Sequence, residues 1–319
     1  MTMKPNPMVI LTGPTAVGKT ALSIALAKKI NGAIISADSM QVYKYMDIGS
    51  AKIMPEEMDG VRHYLVDELD PSDEFHVVRF LEMAKQALKE ITANGQIPIV
   101  VGGTGFYIQA LLYDIDFTEQ ECDSAYRRQL EELAETRGNH YLHEMLKAVD
   151  PASAEAIHEN NLKRVIRALE FYHESGERIS EHNERESQKT SPYNFAYFVL
   201  NDDREKLYRR IDARVDAMVK AGLVDEVARL QQMGCHADMV SMQGLGYKEI
   251  LAYLNGTSTL EEAIYIIKRE SRHFAKRQLT WFRRERDVIW LNKPDFEYDD
   301  TKILTYMMDV LQAKGILPA

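Results

Sequence analysis

Two cysteines in 319 residues, Cys122 and Cys235, form no C-x-x-C pair and no Cys/His cluster. A disulfide framework and a structural zinc site are therefore not what organises this chain. Long apolar runs are missing too: none approaches the ~20 residues of a membrane span. Met1 to Pro7 is polar and the apolar stretch after it breaks at Gly13, so no signal peptide is expected and a reducing cytoplasm is the expected setting. Positive charge is in the minority, 39 Lys and Arg against 49 Asp and Glu, for a net charge of −10; taken as a sum, that argues against a nucleic-acid partner. No internal repeat or low-complexity tract occurs. What is present is 45% hydrophobic, enough for a sizeable core, in a length that suits about two domains of ~100 to 200 residues.

Gly13-Pro14-Thr15-Ala16-Val17-Gly18-Lys19-Thr20 has the G-x-x-x-x-G-K-T spacing of a P-loop. Met8-Val9-Ile10-Leu11 feeds into it as a strand would, and Ala21 to Ala27 leaves it with helical composition. Such a loop turns several N–H groups toward one anion at a helix N-terminus, and Lys19 adds a full positive charge. Thr20 is placed to offer its hydroxyl to a magnesium ion. The segment predicts phosphate or diphosphate binding without naming the ligand.

Further strands are expected at Gly32 to Ala37, ending in Asp38-Ser39, at His63 to Val66, at Ile97 to Val101, at Phe195 to Leu200 and at Val288 to Leu291. Helical spacing runs from Phe75 to Ile91, and Gly102 to Gly105 reads as the turn into the next helix. Strands alternating with helices predict an α/β fold with a parallel sheet core flanked by helices. Ligands of such sheets bind at the carboxyl ends of the strands. The P-loop, Asp38 and Gly102 to Gly105 should converge there. From Asp116 to Ser191 the chain turns polar and helix-forming without a credible strand. Residues 1–115 and 192–319 are thus expected to form the core and 116–191 a helical insertion domain. After Phe195 to Leu200, a long helical region is expected from Arg204 to Met233, a basic helix from Leu260 to Arg284 and a terminal helix from Lys302 to Lys314.

A carboxylate beside a phosphate cradle repels the ligand unless it has a task. For Asp38 the tasks are metal coordination, general base catalysis, or capping a turn. P-loop NTPases also carry an acidic residue at the end of a neighbouring strand; here Ile97 to Val101 ends in Gly102-Gly103 instead. Asn292-Lys293-Pro294-Asp295 matches the guanine-reading N-K-x-D pattern, yet no aspartate has a glycine three residues on, as the GTPase switch requires. That segment reads as an ordinary strand exit. A small-molecule kinase, with Arg164 and Arg167 on a lid, leaves Gly102 to Tyr107 and the basic helix without a task. A non-catalytic RNA-binding P-loop protein would keep the cations but would not need Asp38.

The cations are clustered: Lys163, Arg164 and Arg167; Arg204, Lys206, Arg209, Arg210 and Arg214; and eight between Lys268 and Arg286. Clusters of this kind in an acidic chain point to a polyanion surface. Together with the P-loop, several segments carry a family resemblance: Asp38-Ser39-Met40-Gln41-Val42-Tyr43, Met46-Asp47-Ile48-Gly49, Gly102 to Tyr107, Lys163 to Glu170, Arg210 to Arg214, Gly246-Tyr247 and Ala275 to Trp281. In order and over almost the whole chain, this resembles the tRNA dimethylallyltransferase (isopentenyltransferase) family.

The resemblance implies transfer of the dimethylallyl group from dimethylallyl diphosphate to N6 of the adenosine 3′ of a tRNA anticodon. The P-loop would then hold an isoprenoid diphosphate, which fits the missing acidic strand end. Magnesium is the implied cofactor, with Thr20 its ligand, and tRNA and dimethylallyl diphosphate are the implied partners; no membrane and no obligate protein partner is implied. Charge grows on the leaving diphosphate, where the P-loop, Thr15 and Arg214 can meet it. An ordinary aspartate has a pKa of ~3.9 and cannot strip the weakly acidic N6 beforehand, so Asp38 is expected to accept the proton as the C–N bond forms. The base must be splayed out of its stack to react. By analogy with the family, Asp38, Ser39, Met40, Gln41, Thr104, Arg127, Lys163, Arg164, Val165, Ile166, Arg167, Gln243, Gly244, Leu245, Gly246, Tyr247 and Lys248 line the tRNA side.

Overall fold

The structure, a computed structural model, describes residues 6–117 and 124–318; Cys122 lies outside them. Two compact units emerge, Met1–Leu112 with Pro192–Ala319, and Tyr113–Ser191. The first grows from Met8 to Leu11, every residue of which is fully buried. Consecutive apolar positions suit a strand covered on both faces, as parallel sheets with flanking helices provide. Strand β1 (Pro7–Thr12) runs through the P-loop into α1 (Lys19–Ile30), followed by β2 (Gly32–Ala37), β3 (His63–Tyr64), α2 (Val77–Ala93), β4 (Ile97–Gly102) and α3 (Gly105–Leu112). The second unit holds α4 (Ser124–Arg137), α5 (Asn139–Val149), α6 (Pro151–Ala156), α7 (Leu162–Ser175) and α8 (Ile179–Ser187). The chain returns to the first unit with β5 (Asn194–Asn201), α9 (Arg204–Lys220), α10 (Leu223–Gln232), α11 (Tyr247–Leu254), α12 (Leu260–Phe282), β6 (Val288–Asn292) and α13 (Asp300–Ala313).

Among the described residues the strands form one all-parallel sheet in the order β3-β2-β4-β1-β5-β6. Its register matters for the site. Thr12 of β1 and Ala37 of β2 both stand level with Gly102 of β4, and the Thr12 hydroxyl donates to the Gly102 carbonyl at 2.6 Å. The P-loop, Asp38 and the Gly103 to Gly105 turn therefore leave three neighbouring strands at one height. The helical region expected as one piece from Arg204 to Met233 breaks at Ala221-Gly222 into α9 and α10, and the strand expected over His63 to Val66 is two residues long.

The second unit has its own core, with Leu130, Leu142, Leu146, Val165, Ile166 and Leu169 packed together. Asp150 ties it: its carboxylate accepts the N–H and hydroxyl of both Ser153 and Ser180. Burial opposes the charge, but these bonds hold the carboxyl below its ordinary value.

Candidate active site

The P-loop bends as its sequence requires. Gly18 sits in the left-handed region at φ 101, where a Cβ is strained, and α1 starts directly after it. Lys19 Nζ donates to the loop carbonyls of Gly13 at 2.9 Å and Pro14 at 2.8 Å. Burial pushes its ammonium down to about 8, while Asp38 pulls the other way and Arg214 adds to the drop. Arg210 and Arg214 lie one turn apart on α9 and so share a face. The first donates to the Ala16 carbonyl at 3.0 Å and pairs with buried Asp202 at 2.5 Å; the second reaches the Thr15 hydroxyl at 3.5 Å. Burial lowers the Arg214 pKa, and the Asp38 carboxylate offsets part of that.

One of the tasks expected of Asp38, capping its turn, is seen directly. One oxygen, Oδ1, caps the turn by accepting the N–H of Met40 at 2.8 Å and of Gln41 at 3.3 Å. The carboxylate also lines two adjoining cavities, of about 550 Å³ and about 500 Å³. The first contains Gly18, Lys19 and Thr20. The second contains Ser39, Met40, Thr104, Gln243 to Gly246 and Lys248. Thr15, Asp38, Ser50, Gly103, Arg214 and Gln278 line both. The site is thus a crevice with a phosphate cradle at one end, a chamber of mixed polarity at the other, and Asp38 at the junction.

No cluster of three or more His, Cys, Asp or Glu that could hold a metal occurs among the described residues. Magnesium carried by a diphosphate needs only one or two protein oxygens beside water and phosphate oxygens. The Thr20 hydroxyl, in the cavity that also contains Lys19, would supply one such oxygen.

Several expected tRNA-facing residues need correction. Tyr247 is fully buried and Val165 and Ile166 are 0% and 4% exposed, so none offers a surface: Val165 and Ile166 fill the core of the second unit. Arg127 holds buried Glu170 through two bonds of 2.7 Å and stays exposed, so it is not excluded from the surface. On α7, Lys163 and Arg164 are exposed and Arg167 is partly so. Of the α12 cations, Lys268 and Arg272 pair with Asp216 and Asp212 of α9. Lys276 and Arg277 are exposed rather than packed in the core and line an open groove with His273, Trp281 and Arg284. Asn292 donates to Asp295 at 3.0 Å, closing a turn at the end of β6.

One central residue was missed. Gln278 of α12, 6% exposed, accepts the Thr15 N–H at 2.9 Å and donates to the Gly103 carbonyl at 3.0 Å. It joins the P-loop to the turn after β4; the signals for it are its place in the Ala275 to Trp281 segment and its helical phase with buried Ala275 and Phe282.

An all-parallel sheet whose central strand feeds a glycine-rich loop and a helix defines the P-loop α/β class, here with a two-ended crevice. A model of the IPP transferase family matches residues 41–285, and the chain belongs to that family. A tRNA dimethylallyltransferase of Lachnoclostridium phytofermentans is 63% identical over 98% of this chain and 99% of its own. One from Acetivibrio thermocellus is 51% identical over 97% and 98%. Among solved structures, a tRNA isopentenylpyrophosphate transferase of Bacillus halodurans is 45% identical, covering 98% of both chains at a TM-score of 0.73. A eukaryotic dimethylallyltransferase acting on tRNA is 30% identical over 95% of this chain and 78% of its own, with a TM-score of 0.81.

Proposed function

We infer that this chain is a tRNA dimethylallyltransferase that joins C1 of dimethylallyl diphosphate to N6 of the adenosine 3′ of the anticodon. The observation that carries this reading is the place of Asp38, on the wall common to both cavities. The P-loop N–H groups, Lys19, Thr15 and Arg214 hold the diphosphate in the first cavity, and the flipped adenine enters the second. N6 then bonds to C1 as the C1–O bond breaks, the electron pair leaves with the diphosphate, and an N6 proton passes to the carboxylate of Asp38. Cations fixed around the leaving group stabilise the charge that grows there without reorganising. Thr20 would hold a magnesium ion, which supplies further neutralisation of the diphosphate. Met40 and Gln243 to Gly246 would guide the base, and Lys163, Arg164 and Arg167 would bind tRNA phosphates.

The kinase alternative has no support among the relatives. No helix of the described residues is long and apolar enough to cross a membrane. The test is to incubate the protein with unmodified tRNA and dimethylallyl diphosphate, then weigh the digested nucleosides and measure diphosphate. Dimethylallyl-adenosine and diphosphate in equal amounts are expected. Absence of that nucleoside, or phosphoryl transfer from ATP to a small acceptor, would overturn the reading.

A further inference from the structure

Glu226, on α10, is 1% exposed, and no ion pair reaches it among the described residues. Such a carboxylate costs several kcal/mol to bury unless donors surround it. Here the donors belong almost entirely to one distant loop. Oε2 accepts the N–H of Asp47 at 2.9 Å and of Ile48 at 2.8 Å, and Oε1 accepts the N–H of Gly49 at 3.0 Å. The fourth donor is the Tyr247 hydroxyl, at 2.9 Å, whose oxygen in turn accepts the Ser50 N–H at 3.1 Å. Two buried side chains thus hold four consecutive backbone N–H groups, 47 to 50.

The loop so held is a wall of the crevice. Gly49 and Ala51 line the second cavity and Ser50 lines both, while the Gln41 amide donates to the Ala51 carbonyl at 3.3 Å. Its far end is pinned by buried Lys52, paired with Asp47 at 2.6 Å and Asp67 at 2.8 Å. Packing is equally close: a Cβ on Gly49 would stand 2.6 Å from the Tyr247 ring, and one on Gly244 would stand 2.4 Å from the Met40 methyl. Loop and turn are interlocked from both sides.

We propose that Glu226 and Tyr247 are positioning residues for the transfer reaction: they fix the 47 to 50 backbone as the wall of the acceptor chamber, without touching substrate themselves. The proposal rests on the transferase reading and gives Tyr247 a task in place of the tRNA contact it lacks. The wall lies mainly on the acceptor side, so its loosening should misplace the adenine relative to C1 and Asp38 and leave the diphosphate end alone. A misplacement of about 1 Å at a reacting centre costs on the order of a hundredfold in rate.

Tyr247→Phe keeps the ring against Gly49 and removes only the hydroxyl; Glu226→Gln keeps the shape and replaces one acceptor oxygen by a donor. For both, steady-state kinetics in each substrate and the denaturation midpoint should be measured on the full chain. Expected is a fall of roughly ten- to hundredfold in kcat/KM for tRNA, deeper for Glu226→Gln, with KM for dimethylallyl diphosphate within about twofold of the parent. If Glu226→Gln does not fold, Tyr247→Phe decides alone. A folded Tyr247→Phe with parental kcat/KM for tRNA overturns the proposal, as does a loss confined to the midpoint or to dimethylallyl diphosphate. Inactivity of the parent protein itself would instead refute the transferase reading.

Discussion

Replacing Gln278 by leucine removes the side chain that, among the described residues, bonds the P-loop and the turn after β4 together. Two hydrogen bonds disappear, at 2.9 Å to Thr15 and 3.0 Å to Gly103, each with a net value of about 1 kcal/mol. The Thr15 N–H and the Gly103 carbonyl lose their partner, at about 1 to 3 kcal/mol apiece if they stay dry. Both residues border the crevice, so water replaces part of the loss, and about 2 to 4 kcal/mol in all is expected. Some of that lowers folding stability, and the rest appears as a P-loop no longer held in register for the diphosphate. The expected result is a lower urea midpoint together with dimethylallyl diphosphate binding weakened by about ten- to a hundredfold in titration calorimetry, where each factor of ten is 1.4 kcal/mol. Parental affinity and midpoint would refute the claim that this amide organises the cradle.

Binding of dimethylallyl diphosphate should weaken as pH rises above about 8, because unliganded Lys19 loses its proton there and must regain it to meet the anion. Titration from pH 7 to 10 should show a slope approaching about tenfold per unit, well above the phosphate's own step near pH 6; a flat profile contradicts the assignment. Replacing Lys163, Arg164 and Arg167 together by glutamine should weaken tRNA binding and flatten its dependence on salt, since fewer counterions are displaced. An unchanged slope would mean these cations bind no RNA. Leu142→Ala, in the core of the second unit, should cost about 2 to 5 kcal/mol of stability, read as a shift in a denaturation curve; a shift below about 1 kcal/mol would mean that this core is loosely packed.

What was legible in the sequence was local. The passage from β1 through the P-loop to α1 announces itself because an apolar run, two glycines and a lysine are adjacent, and Asp38 stands out as a charge at a strand end. Contacts across the chain left no such trace. Gln278 meets a partner 263 positions away, and Glu226 meets backbone N–H groups 177 to 179 positions away; helical phase puts them on the buried faces with Ala275 and Phe282 and with Leu223 and Leu230, but it names no partner for either. Val165 and Ile166 differ from expectation for another reason. A family motif is contiguous, whereas a helix turns 3.6 residues per turn and sends Lys163 and Arg164 outward while the next two face the core. Charge clusters likewise overstate the free cations of α12, because the aspartates of α9 that neutralise Lys268 and Arg272 lie 52 and 60 residues earlier.

The most direct test of the account is a single-turnover measurement with Asp38→Asn, with the digested tRNA nucleosides weighed at each time. The amide keeps an oxygen to accept the N–H groups of Met40 and Gln41, so the turn should stay closed and both substrates should still bind. Only the proton acceptor is lost. The account predicts that dimethylallyl-adenosine forms about 10² to 10⁴ times more slowly, with tRNA and dimethylallyl diphosphate affinities within a fewfold of the parent. Formation at the parental rate would contradict it and reduce Asp38 to a cap.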